Sequence, residues 1–108
     1  TLQSNAFTAS STPSKADIVM LVKNTSGTAT LNTDIKAFVS RNNGTTFTQV
    51  TLVDEGTYDT NVKVMSAHDI DISSQSSGTQ MKYKISTHNQ SAGSKVTEIQ
   101  AVSLGWRT

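Results

Sequence analysis

Three groups of side chains in this sequence have types and spacings that could support chemistry. His68, Asp69 and Asp71 fall within one short stretch, and Asp54, Glu55 and Asp59 form a second acidic group. Carboxylates and an imidazole so placed are the raw material of a metal site, but calcium needs roughly six or more oxygens and neither group has the spacing of a calcium loop. On an extended strand alternate residues share a face, so Asp69 and Asp71 project together, opposite Ile70 and Ile72. That pattern reads as a solvated face over buried isoleucines, with no metal ligand assigned. Ser and Thr hydroxyls are abundant, yet His68 and His88 stand in no nucleophile context, and no carboxylate pair is marked out as an acid and its base. No catalytic residue and no cofactor is expected, and the chain reads as a non-enzyme.

The third group is aromatic. Tyr58, Tyr83 and Trp106 could stack on the faces of sugar rings. Tyr83 and Trp106 sit in strand patterns that bury them, which leaves Tyr58 exposed. As an alternative role, the exposed loops around Asn43, Tyr58 and Gln75 could bind a receptor or a surface glycan. The stretch Ser40–Phe47 matches the outline S-x-N-x-G-x-x-F, a near form of the Asp-box turn. Its content is structural, because Asn bonds the turn backbone, Gly accepts positive φ and the aromatic anchors the returning strand. Asn24-Thr25-Ser26, Asn43-Gly44-Thr45 and Asn89-Gln90-Ser91 fit the N-glycosylation outline in predicted turns, where Asn, Ser and Thr gather for reasons of their own.

The elements that must position these residues are strands. Asp34–Arg41 and Phe47–Val53 flank the Asn42–Thr46 turn and read as a hairpin, with Ile35, Ala37 and Val39 on one face of its first arm and Lys36, Phe38 and Ser40 on the other. Ala16–Lys23 is apolar on both faces and ends in a turn at Asn24–Gly27. It suits a strand covered on both sides or one packed at a subunit contact. Thr28–Thr33 reads as a short extended piece around Leu31, and Asp54–Thr60 as a loop broken by Gly56. Val62–Ala67 and its continuation to Ile72 read as strand, and Ser73–Gln80 as a connection with nothing to bury. Met81–Thr87 alternates cleanly, Met81, Tyr83 and Ile85 inward and its lysines outward, as on a guarded edge. After a turn at His88–Ser94, Lys95–Trp106 forms one long strand, with Val102, Leu104 and Trp106 on one face and Ile99 and Ala101 on the other.

The sum is an all-β fold, an antiparallel β-sandwich or jelly-roll-like domain of about six to eight strands without significant helix, over residues 16–108. Residues 1–15, punctuated by the one proline, Pro13, form an N-terminal arm or linker that Leu2 and Phe7 could dock. The 108 residues suffice for one domain with a modest core, and the mean hydropathy of −0.33 reflects the Ser and Thr that make up about three residues in ten. A net charge of +1 with interspersed signs offers no basic platform for nucleic acid. Zero cysteines exclude a disulfide framework, a zinc knuckle and a thiol nucleophile. No apolar run is long enough to insert into a membrane as a helix, and no signal peptide is visible. A start at Thr1 suits an excerpt of a longer protein or a processed product.

Taken together, Ser40–Phe47, Val50–Leu52, the acidic Gly loop Asp54–Gly56, Asp71–Thr79, Met81–Ile85 and Ser103–Trp106 resemble a module of tailed-bacteriophage structural proteins, of the tail-fibre or tail-appendage type. In that pattern the turn reads S-R-D-G-G-T-T-F; here Asn42 and Asn43 replace the acidic residue and a Gly, and both tolerate the turn geometry. The resemblance spans roughly Ala16 to Trp106. It implies a β-sandwich in a virion, an extracellular particle, with other virion proteins as partners and no catalytic residues. Assembly into a homo-oligomer is expected, with Leu2, Phe7, Ile18, Met20 and Val22 as contacts. A capsid decoration or head-fibre protein is the same physics at another address.

Overall fold

A computed structural model of the chain describes residues 1–90 and 95–108. Among them are nine strands and no helix: β1 (Leu2–Gln3), β2 (Phe7–Thr8), β3 (Lys15–Ser26), β4 (Ile35–Ser40), β5 (Thr48–Gln49), β6 (Val53–Asp59), β7 (Val62–Asp71), β8 (Gln80–Thr87) and β9 (Val96–Arg107). All ladders between them are antiparallel. One sheet runs β1-β8-β4-β5, with β2 beside β1 on the same edge of β8, and the other runs β6-β7-β3-β9. The two layers make a β-sandwich. At about 3.3 Å per residue the 12-residue strands β3 and β9 reach about 40 Å, which sets the molecule's longest dimension of 43 Å.

The core lies between the layers. Ile18, Met20 and Val22 of β3, with Met65 and Ala67 of β7, face Ile35, Ala37 and Val39 of β4 and Met81 and Ile85 of β8. The alternation read in β4 and β8 is therefore the observed one. The hairpin pairs only Phe38 with Gln49 and Val39 with Thr48 before the chain leaves for the other sheet. Val50 and Leu52 are buried at this crossing, where Asn32 imitates a strand, its amide donating to Leu52 O and accepting from Leu52 N at 3.1 and 2.9 Å.

Several sequence expectations need correction. Ile18, Met20 and Val22 are fully buried core residues and no subunit contacts, because β3 is central and turns this face to the other layer. Asp54–Thr60 is largely strand β6, with no broken loop. Gly56 takes φ +120° in a bulge where Asp54 pairs with Met65 and Gly56 with Val64, so the ladder continues past it. β3 runs on through Asn24–Ser26, and Leu31 lies at a tight turn whose Thr33 and Asp34 amides both donate to Thr30 O. β8 is no edge; it is flanked by β4 and the arm, and Lys84 lies 4.6 and 4.5 Å over the Phe38 and Phe47 rings. Ile99 shares the inward face with Val102, Leu104 and Trp106, because a bulge between Ile99 and Ala101 resets the alternation. The expected turn around Gly93 lies outside the described residues.

Candidate functional site

The acidic groups singled out in the sequence do not converge. A further bulge, with Asp69 at φ 55°, sets His68 and Asp69 against Asp17, whose carboxylate accepts from the Asp69 amide at 2.8 Å. Arg107 bridges Asp17 and Asp69, while His68 Nδ1 stands 3.5 Å from Asp17. Asp71 accepts from the Ser73 hydroxyl and amide, and these bonds, helped by Lys15, hold its carboxyl below the usual range. Asp54 and Asp59 accept from the amides of Gly56 and Thr60. Asp54, Asp59 and Asp71 each serve their own turn, Asp17 and Asp69 share Arg107, and among the described residues no three such groups surround a cation position.

Of the three loop residues, Asn43 and Tyr58 are exposed, Tyr58 at 67%. They lie on different layers, Asn43 in the β4–β5 turn and Tyr58 on β6. Gln75 is not an exposed contact; it is 5% exposed and acts as a piece of backbone inside the fold. Its Oε1 accepts from the Arg41 amide at 2.8 Å, and its Nε2 donates to Val39 O at 2.9 Å and Thr48 Oγ1 at 2.8 Å. The buried Arg41 guanidinium donates in turn to the carbonyls of Pro13 and Ser73, both at 2.9 Å, and of Gln75. Arm, hairpin and the β7–β8 connection are thus tied at one knot. Gly78 is required there, since a Cβ on it would meet Arg41 O at 2.5 Å. The Ser40–Phe47 stretch is a turn of the anticipated kind, with Ser40 Oγ accepting from the Gly44 amide at 3.0 Å and Asn42 Oδ1 from the Thr46 amide at 2.9 Å.

A buried carboxylate that the sequence reading passed over is Asp34. Lys95, the Thr30 amide at 2.8 Å and Asn89 Nδ2 at 2.6 Å all donate to it. These bonds, that of Lys95 foremost, hold its carboxyl far below the ordinary range. The ionised form is therefore favoured by folding. Its contribution is fully present above the unfolded carboxylate range and is lost as the pH falls below that range toward the depressed folded value. Asp34→Asn is expected to lower the urea midpoint clearly at neutral pH and less at about pH 2.5, where part of the wild-type advantage has already gone. Equal losses at both pH values would contradict the depressed titration.

What remains for recognition is one side of the sandwich. A cleft of about 250 Å³ opens there, lined by Phe7 of β2, Tyr83 of β8 and Val102, Leu104 and Trp106 of β9. Phe7 is 44% exposed, and Leu2 of β1 stands equally free along the same sheet edge. Tyr83 and Trp106 pack only partly against the core, as walls of this cleft. Beside it, among the described residues, β9 pairs with β3 alone, and apart from the Thr97 amide, which donates to Gln90 Oε1, its second backbone edge has no partner. The sequence carried one sign of this: Val96–Arg107 holds neither lysine nor proline, the residues that usually blunt an edge. Comparison with family models, with curated proteins and with solved structures finds no match to this chain.

Proposed function

We propose that this chain is a non-enzymatic structural module of a phage virion, of the tail-fibre or tail-appendage type, that works by assembling with copies of itself and with other virion proteins. The string resemblance over Ala16 to Trp106 supports the virion setting. The observation that carries the assembly role is the coincidence, along one side of the sandwich, of an aromatic cleft and a long edge strand, β9, whose outer backbone beyond Thr97 has no partner among the described residues. Burying such a cleft and pairing such an edge are the two means by which β modules join. Immunogold labelling of the particle that encodes the chain tests the setting. Label on the tail is the expected result; label on the head would move the module to capsid decoration, and its absence from particles would remove the proposal.

A second reading is a receptor- or carbohydrate-binding module, favoured by the exposure of Tyr58. It expects binding on a glycan array that Tyr58→Ala abolishes. An array without signal would count against it.

A further inference from the structure

We infer that two copies of this chain join through β9, edge to edge, about a twofold axis at Ser103, so that their β6-β7-β3-β9 sheets become one continuous sheet. The pairing presupposes the self-assembly proposed above and names the surface that performs it.

The other edges are poor candidates. β5, β1 and β2 are two residues long, and β6 carries Asp54, Glu55 and Asp59 and two register shifts against β7. Those are the devices by which edge strands refuse partners. β9 has charge only at Glu98 and Arg107, near its two ends. At its start the Thr97 amide is taken by Gln90 Oε1 at 2.9 Å, on the side away from β3, whereas Arg107 O accepts from the Ser14 amide. Alternation through the Gln100 bulge then turns the backbone groups of Ile99, Val102, Leu104 and Trp106 to the free side.

Twofold symmetry and chemistry together select the register. A twofold axis perpendicular to the sheet keeps inward residues opposite inward ones, so one residue must face its own copy. With Ser103 on the axis, Val102 meets Leu104 of the second copy. Passing the Gln100 bulge as β3 does, Trp106 meets Ile99 of the second copy, and Arg107, whose guanidinium already bridges Asp17 and Asp69, stands opposite Glu98, once at each end of the ladder. Centring on Val102 instead sets Trp106 against Thr97 and Arg107 against Val96, and centring on Leu104 or Gly105 sets Ile99 or Val102 against Thr108. Only the Ser103 register gives Ile99, Val102, Leu104 and Trp106 each an apolar partner on the second copy. It also puts the small residues Ala101 and Gly105 opposite each other on the outer face, where a Cβ on Gly105 would meet nothing. Each strand would lie across the mouth of the other's cleft beside Trp106.

Ser103 is exposed, so a charge there leaves the fold intact. Ser103→Lys sets two ammonium groups against each other at the axis, and Ser103→Glu two carboxylates. In sedimentation equilibrium each variant alone is expected to dissociate about tenfold or more above the wild type. An equimolar mixture of the two is expected to recover the dimer, with thermal melts confirming that both are folded. A wild type that associates while Ser103→Lys associates equally well would overturn the β9 pairing and leave self-assembly standing on another surface. A wild type that stays monomeric throughout would remove self-assembly itself.

Discussion

Replacing Ile18 with Ala is expected to lower the unfolding free energy by about 2–5 kcal/mol, the usual cost of opening a cavity where a large aliphatic side chain was fully enclosed. Ile18 pairs with Ala67 on one side and Leu104 on the other and has no exposed surface, so its neighbours are fixed by two ladders and cannot collapse freely into the void. Against a total of about 5–15 kcal/mol for a domain of this kind, the loss would appear as a large drop in the denaturant midpoint. At conditions where the variant is still folded, its self-association should be that of the wild type. An Ile18→Ala chain with unchanged stability and lost association would mean that β3 is a contact strand after all.

The second large effect belongs to Gln75. Gln75→Leu keeps the volume but strips the Arg41 amide and the Val39 carbonyl of their partners inside the fold. Each orphaned backbone group costs about 1–3 kcal/mol, so a loss of about 3 kcal/mol is expected from urea unfolding. Thr48→Val, which removes only one of the two partners of Gln75 Nε2, should cost far less. Arg41 shares the knot, so the losses in Gln75→Leu and Arg41→Met should fail to add in the double variant. Additive losses would show that the two side chains act separately.

The contrast between these residues shows what a one-dimensional pattern carries. β4 and β8 were legible because their alternation is unbroken, Ile35, Ala37 and Val39 or Met81 and Ile85 being buried in turn. The bulges were not. Gly56, Asp69 and Gln100 each slip a strand by one residue, and a slip reverses every later side chain, which is why Ile99 fell on the wrong face, while Gly56 and its acidic neighbours made β6 read as a loop. Ile18, Met20 and Val22 misled for another reason. An apolar run shows that a strand is buried without showing which face meets the core, and Val19 and Leu21 supply the outer face of the same strand. Gln75, Arg41 and Asp34 were invisible because polar residues enter a core only when specific partners distant in sequence meet them, here Val39, Pro13 and Lys95. Edge or centre is likewise a property of topology, so the lysines of β8 read as guards while the unguarded strand was β9.

The most direct measurement is the solution mass of the chain by light scattering from low to high micromolar concentration. A module that works by joining copies of itself through a small strand-edge contact should rise from 11.5 kDa toward a multiple of that mass as concentration increases. A mass that stays at 11.5 kDa across the whole range would contradict self-assembly, and the side of the sandwich formed by β9 and its cleft would then have to serve a different partner.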